Sequence, residues 1–290
     1  MEVAWHLVNK NGDDFPSKGF PRFASVYPEL SAHGLEEVFS NPEHIYVGDE
    51  FCPARLPTHH ELSGFLGFAD KKGLSLTLLT PVLTDQAIVA CTELFDCLYQ
   101  WNPSAEVVVN DLGVLFYLKK NYPDFQLSMG RLFNKGFKDP RLESKEMGMS
   151  NKAKEFLNHC SFKGKGMQTL AENLDIHRFE QDLLPHADPE TLGVADFKTS
   201  VYFPLGYVTT GRACFTAGLV NNPNARFKFN NGCSSPCTSH GLKLKHPDGA
   251  LELFQNGNTI FYLYTLSMMK GIFKKARSHG FRMVYQGALI

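Results

Sequence analysis

The 290-residue chain has no apolar run long enough to cross a membrane. Its opening, "MEVAWHLVNKNGDDFP", reaches Asp13 and Asp14 without the hydrophobic core of a signal peptide, so a cytoplasmic location is expected. Charge of one sign is equally scarce: 29 Lys and Arg stand against 30 Asp and Glu, a formal net charge of -1. That balance argues against a nucleic-acid binder working by bulk electrostatics, while leaving room for a local basic patch. There is no internal repeat, no low-complexity linker and no G-x-S-x-G elbow of a serine hydrolase. "HHELSG" begins like the zinc-protease helix motif, but Gly64 occupies the place of the second histidine, so His60 and Glu61 read as surface helix residues. "GKG" at 164–166 is too short for a phosphate loop. Cysteine is sparse and odd in number, seven along the chain, which does not describe a secreted disulfide framework.

With 43% hydrophobic residues, the chain can bury a large core without such staples. Continuously apolar runs, "RFASVYP" near 22, "HIYVG" near 44, "LSLTLLTP" near 74, "AEVVVN" near 105 and "FQLSMG" near 125, suit parallel strands covered on both faces. Between them lie helical patterns. "LTDQAIVACTELFDCLYQW" spaces apolar residues every three to four positions behind Thr84 or Asp85 as cap, and "DLGVLFYLKKNYPD" is a second helix closed by Pro123. Alternating βα units imply an α/β fold with a parallel sheet, open or closed into a barrel. The lysine-rich stretch from about 131 to 170 interrupts the pattern as an excursion. "HRFEQDLLP" and "TSVYFPLGYVTT" resume it, and Asp248-Gly249 and Asn256-Gly257 then mark tight hairpin turns before a last helix ending at Gly280 and a last strand "FRMVYQ". One domain over 1–290 is the simplest organisation, with the hairpins as a C-terminal β-hairpin appendage.

The chemistry concentrates in the cysteines. "NGCSSPC" places Cys233 and Cys237 in a polar loop, which suggests a shared metal needing two further thiolates. Cys91 and Cys97 lie in an apolar helical pattern and Cys160 follows a helix end, as small buried hydrophobes do. Cys52, in "HIYVGDEFCPAR", and Cys214, in "YVTTGRACFTA", instead follow apolar strands through glycine turns. In a parallel barrel all such loops open on one face, so Cys52, Cys214, Cys233 and Cys237 can meet there. Spacing alone leaves zinc and iron–sulfur both open, as well as plain packing of Cys52 and Cys214 at strand ends.

Those segments, with "HRFEQDLLP", "VNDLG" and the trailing "CSSPC", resemble the collagenase-like peptidase family of unassigned catalytic type (the peptidase U32 family), over about residues 40–240. The UbiV-like branch, linked to anaerobic ubiquinone biosynthesis, is the more similar. The resemblance implies a TIM-type barrel carrying a 4Fe-4S cluster on Cys52, Cys214, Cys233 and Cys237. It implies oxygen-independent hydroxylation with prephenate as oxygen source, a heterodimer with a second, UbiU-like protein of the family, and in other relatives RNA as the modified substrate. The alternative class is a metal-stapled scaffold without catalysis, or a peptidase-like protein. Arg55 and Arg212 flank two of the cysteines and suit bidentate pairing with a small anionic cosubstrate, or a surface ion pair. Arg178, Glu180 and Asp182 alternate along a strand and so share one face; a charged barrel interior suits a catalytic role for Glu180 and Asp182 with Arg178 on substrate, or a buried ion pair. Asp49 and Asp111, at strand ends, are further acid–base candidates. The lysines between 135 and 165 favour RNA mildly, against the neutral overall charge.

Overall fold

A computed structural model describes residues 1–7, 34, 35, 37–140, 150–185, 187–220, 222–225, 233, 235–238, 241–245 and 251–286. The strands β1 (Glu2–Leu7), β2 (His44–Gly48), β3 (Ser75–Leu79), β4 (Glu106–Val109), β5 (Gln126–Met129), β6 (Arg178–Gln181) and β7 (Lys198–Phe203) run parallel. Four antiparallel strands follow, β8 (Leu205–Thr210), β9 (Leu242–Leu244), β10 (Leu253–Asn256) and β11 (Thr259–Leu263), ordered β8-β11-β10-β9. The last strand, β12 (Arg282–Tyr285), pairs with both β1 and β7 and closes an eight-stranded parallel barrel. The fold is therefore the TIM-type barrel expected, with the hairpin sheet inserted before the final helix and strand.

Helices pack outside: α1 (His59–Lys72), α2 (Asp85–Ala90), α3 (Thr92–Trp101), α4 (Leu112–Asn121), α5 (Asn151–Leu157), α6 (Lys165–Asn173), the short α7 (Phe215–Val220) and α8 (Leu266–His279). In α1, Thr58 and Glu61 form a reciprocal capping box and Gly73 closes the helix at φ 66°, so the "HHEL" stretch is a helix start rather than a zinc motif. The single helix expected over 84–101 is broken at Cys91, whose backbone ends α2 and begins α3. Among the described residues, β6 and β7 are joined only by a 3-10 turn, Pro189–Thr191, which makes the barrel irregular there. The "RFASVYP" strand and the Asp248-Gly249 turn lie outside the described residues. The other expected turn is displaced by one position: Asn256 pairs with Thr259, so Gly257 and Asn258 are the two central residues, with Gly257 at φ 62°.

Alternation sorts each strand's side chains. Outward residues such as Ile45, Val47, Leu78, Val107 and Phe179 bury against the helices, while Ala4, Tyr46, Leu79, Val108, Tyr202 and Val284 fill the barrel axis. Below this apolar layer, at the amino-terminal ends of the strands, Arg282 reaches Glu2 at 2.7 Å and Glu106 at 2.6 Å, and donates to the Tyr46 hydroxyl at 2.8 Å. Arg178 reaches Glu2 at 3.3 Å and Glu106 at 3.4 Å. Burial pushes the Glu106 carboxyl up, but His177 and the two guanidiniums outweigh it and hold the group well below the usual carboxylate range.

Removing one partner from this network strands its buried carboxylates. Arg282→Ala is expected to cost about 3–5 kcal/mol in urea unfolding; a cost under about 1 kcal/mol would show that water screens the network.

Candidate functional site

The carboxyl-terminal mouth of the barrel gathers four cysteines from well-separated segments. Cys52 follows β2, Cys214 directly precedes α7, Cys233 precedes the 3-10 turn Pro236–Thr238 and Cys237 lies within it. Their thiols share one electrostatic neighbourhood. Burial raises the Cys237 thiol, with Arg55 opposing and Cys214, Asp49 and Cys233 reinforcing the shift. Burial and Asp49 push Cys52 up to about 12, with a smaller contribution from Cys237. Cys52 comes from a barrel loop as the sequence argument has it, but Cys214 follows β8 of the antiparallel sheet rather than a barrel strand; Cys91 and Cys160 are buried in the core around the helices and Cys97 packs against it.

The loop that carries Cys52 is built by Asp49, whose Oδ1 accepts from the backbone N–H groups of Phe51 at 2.7 Å and Cys52 at 2.8 Å. Its other oxygen lies 3.3 Å from Arg55 Nε. Gly48 makes the departure from β2 at φ 100°, where a Cβ would stand 2.5 Å from the Leu79 carbonyl oxygen. The β10–β11 turn then ties the cysteine loops together. Arg55 Nη1 donates to Asn256 Oδ1, and Asn256 Nδ2 donates to the Cys237 carbonyl at 3.2 Å. Asn258 Nδ2 donates to the carbonyls of Phe51 and Gly211, each at 2.8 Å, linking the Cys52 loop to the Cys214 loop. Ser235 Oγ reaches the Ala54 carbonyl at 3.3 Å. Asn256 was legible in the sequence only as a turn residue and Asn258 was not singled out; the side-chain role of both needed the fold.

Four thiols with N–H donors aimed at sulfur have the donor chemistry of an iron–sulfur site. Ala217 N–H points at Cys214 Sγ and Ser235 N–H at Cys233 Sγ, both at 3.4 Å. Gly257 is favoured there by its φ of 62° rather than by crowding, since a Cβ would make only ordinary contacts, 3.5 Å to Cys237 Sγ and 3.7 Å to Arg55 Nη1. Among the described residues, no group of three or more His, Cys, Asp and Glu stands ready to hold a single metal ion. In a 4Fe-4S cube each cysteine binds a different iron, so such ligands stand farther apart than those of one ion.

The remaining candidates divide. Asp49 and Arg55 belong to the cysteine mouth, both buried; Arg212 is exposed beside it. Asp182 lies at the same end but is tied to Lys138 at 2.7 Å and accepts from Tyr207 N–H at 2.9 Å. Arg178 is at the opposite end of the barrel, within the Glu2–Glu106 network, so the buried ion-pair alternative describes it, though with those two carboxylates as partners. Asp111 caps α4, accepting from Val114 N–H at 2.9 Å, and also holds Leu83 N–H at 3.1 Å. Residues the sequence did not single out complete the mouth: Glu50 pairs with fully buried Arg131, whose guanidinium lies 3.6 Å over the Tyr202 ring.

Glu180 sits between the two ends, fully buried, with Oε1 accepting from Tyr46 at 3.2 Å and Oε2 without a partner among the described residues. Burial and the nearby Glu106 charge raise its carboxyl to about 8, against the opposing pull of Arg178 and Arg282. No protein-family profile matches the chain, and no curated protein sequence matches it. Among solved structures, a multi-modular cell-surface chitinase, ChiW of Paenibacillus sp. str. FPU-7, is similar at 10% identity and a TM-score of 0.25 over 90% of this chain. This chain spans 32% of that protein's length.

Because Glu180 binds its proton more tightly folded than unfolded, the folded state is favoured at low pH, and that contribution is lost as pH rises from about 4.5 through about 8. Glu180→Gln is therefore expected to stabilise the protein at pH 8 while changing little near pH 4.5, measured by denaturant midpoints at the two pH values. Equal effects at both would show that Glu180 is ionised in the fold.

Proposed function

We propose that the chain is an iron–sulfur protein of the peptidase U32-like type, with a 4Fe-4S cluster on Cys52, Cys214, Cys233 and Cys237, and that it serves as an oxygen-independent hydroxylase or one subunit of one. The observation that carries this reading is the convergence of those four thiols at the barrel mouth, beside a buried guanidinium and under backbone N–H donors. A parallel barrel offers its reactive groups at this end. When bound, such a cluster supplies single-electron transfer, at a potential set by the hydrogen bonds and burial around its sulfurs.

The chain's own residues have distinct parts in this reading. Arg55 offsets the thiolate charge and faces the site from a position held by Asp49 and Asn256, and exposed Arg212 stands at the rim beside Cys214. A small anion such as prephenate is the cosubstrate, a ubiquinone precursor the acceptor, and a second, UbiU-like chain the partner; RNA is the alternative acceptor. Glu180 holds its proton in the barrel core and is a proton store rather than a nucleophile.

Protein purified without oxygen is expected to be brown and to carry about four irons per chain. Single replacement of Cys52, Cys214, Cys233 or Cys237 by Ala should remove most of that iron, whereas Ala at Cys91, Cys97 or Cys160 should leave it in place. Iron and zinc measured on the same samples decide the matter, and a colourless wild-type protein with one zinc per chain would replace the cluster with a structural metal.

A further inference from the structure

In a βα barrel a helix covers the outside of each pair of neighbouring strands. Between β6 and β7 the described residues supply only the 3-10 turn Pro189–Thr191, and that turn leans to one side. Gly271 of α8 lets Pro189 sit against the helix, since a Cβ there would stand 2.4 Å from Pro189 Cγ. One helical turn further along, Lys275 Nζ lies 2.8 Å from the Glu190 carboxylate. The turn is thus fastened to α8. The side toward α6 stays open as a trough of about 510 Å³, with Lys163 and Gln168 on one wall and Lys275 and His279 on the other. That volume is within the range of sites for small molecules.

The floor of the trough is apolar and fixed. Leu192, Val194 and Phe281 line it, each more than nine-tenths buried. Gly193 N–H donates to Gln181 Oε1 at 2.9 Å, which pins the loop to the end of β6. The Phe281 ring lies against the Gly193 backbone, where a Cβ would stand 2.6 Å from its Cζ. The rim, by contrast, is basic. Glu190, the one carboxylate among the lining residues, is engaged by Lys275, and α8 carries Lys270, Lys274, Lys275, Arg277 and His279 with no acid. The exposed Glu190 carboxyl reports the resulting field: the hydrogen bond and charge of Lys275 hold it below its ordinary value, with Lys274 and His279 adding to the effect. Exposed Lys163 contributes a further positive charge from the facing wall.

We infer that this trough binds a small amphipathic carboxylate, its apolar body on Leu192, Val194 and Phe281 and its charged end between Lys163 and His279. The walls decide against two other ligand classes. A neutral apolar molecule would leave the rim charges unanswered, and a cation would meet Lys163 and Lys275. None of these residues belongs to the cysteine mouth, so the site is additional to the proposed function and stands whether or not a cluster is bound there.

Octanoate and octan-1-ol share a chain length and differ in head-group charge, which makes them the probes. Each is titrated into the full chain at neutral pH and read by ligand-observed NMR. Octanoate is expected to bind with a Kd of about 1 mM, in keeping with its small size, and octan-1-ol about fivefold more weakly. Lys163→Glu reverses one exposed rim charge and should weaken octanoate about tenfold while leaving octan-1-ol unchanged. Lys72→Glu makes the same change on the exposed face of α1, away from the trough, and should bind octanoate as the wild type does. Ala195→Trp brings a ring into the trough from its exposed edge, so binding of both probes should vanish while the thermal midpoint stays within about 2 °C of the wild type. The site is overturned if the wild type leaves octanoate free, if both probes bind equally, or if Ala195→Trp folds and binds octanoate undiminished. It is overturned as well if Lys163→Glu and Lys72→Glu weaken octanoate alike, since the attraction would then be that of any basic surface for an anion.

Discussion

The buried guanidinium of Arg55 is the constraint on which the cysteine mouth depends. A cation nearly out of water needs a carboxylate and directed hydrogen bonds, and it finds them in two different parts of the fold. Asp49 supplies the charge from the loop after β2, and the same carboxylate closes that loop by accepting from Phe51 and Cys52. Asn256 supplies the hydrogen bond from the β10–β11 turn and passes it on to the Cys237 backbone. One charge thereby fixes the position of a barrel loop relative to an inserted sheet. Cys52 and Cys237 are placed by that coupling rather than by any contact between themselves. Losing Arg55 would leave Asp49 as an uncompensated buried anion beside the thiols, so its structural and electrostatic roles cannot be separated by a simple deletion.

The barrel strands from β2 to β5 were legible because parallel strands covered on both faces are written as nearly unbroken apolar runs. β1 was not, for a physical reason: "EVAWHL" places Glu2 and His6 on the inward face, where they meet the charged ends of the barrel, and the apolar signal is diluted. The β7–β8 segment read as one continuous stretch, yet Pro204 divides it between two sheets. Cys52 and Cys214 were legible from glycine turns after apolar runs, and Cys233 and Cys237 from their close spacing in a polar loop, none of which needs side-chain detail. Arg131 and His6 were invisible by the same standard. Each is an ordinary residue in its own segment, and its character comes from neighbours more than 40 positions away, Glu50 for one and Gly48 for the other. The alternation of Arg178, Glu180 and Asp182 put all three on one face without saying which, and alternation carries no information about depth. Depth assigns them to three environments: an ion network, an apolar middle and the reactive mouth.

That layering separates the two sets of charges. At the amino-terminal end, Arg178 and Arg282 are matched by Glu2 and Glu106, so the network closes on itself. The middle layer of Ala4, Leu79, Val108, Tyr202 and Val284 offers no counter-charge, and burial there with the Glu106 charge raises the Glu180 carboxyl to about 8, outweighing the pull of Arg178 and Arg282. The field at the cysteine mouth is therefore set locally. Asp49, Glu50 and Asp182 oppose Arg55, Arg131 and Lys138, and the balance among these six buried groups is even before any thiolate forms. Thiolates add negative charge to a neutral surround, which is why burial and Asp49 drive the Cys52 thiol upward when nothing is bound to it. The proposed cluster, with its cationic iron, would offset that cost, and the N–H groups of Ala217 and Ser235 already point at two of the sulfurs. The mouth is thus poor at holding Cys52 and Cys237 as free thiolates, which follows from burying them beside Asp49 where the barrel has already matched its own buried charges.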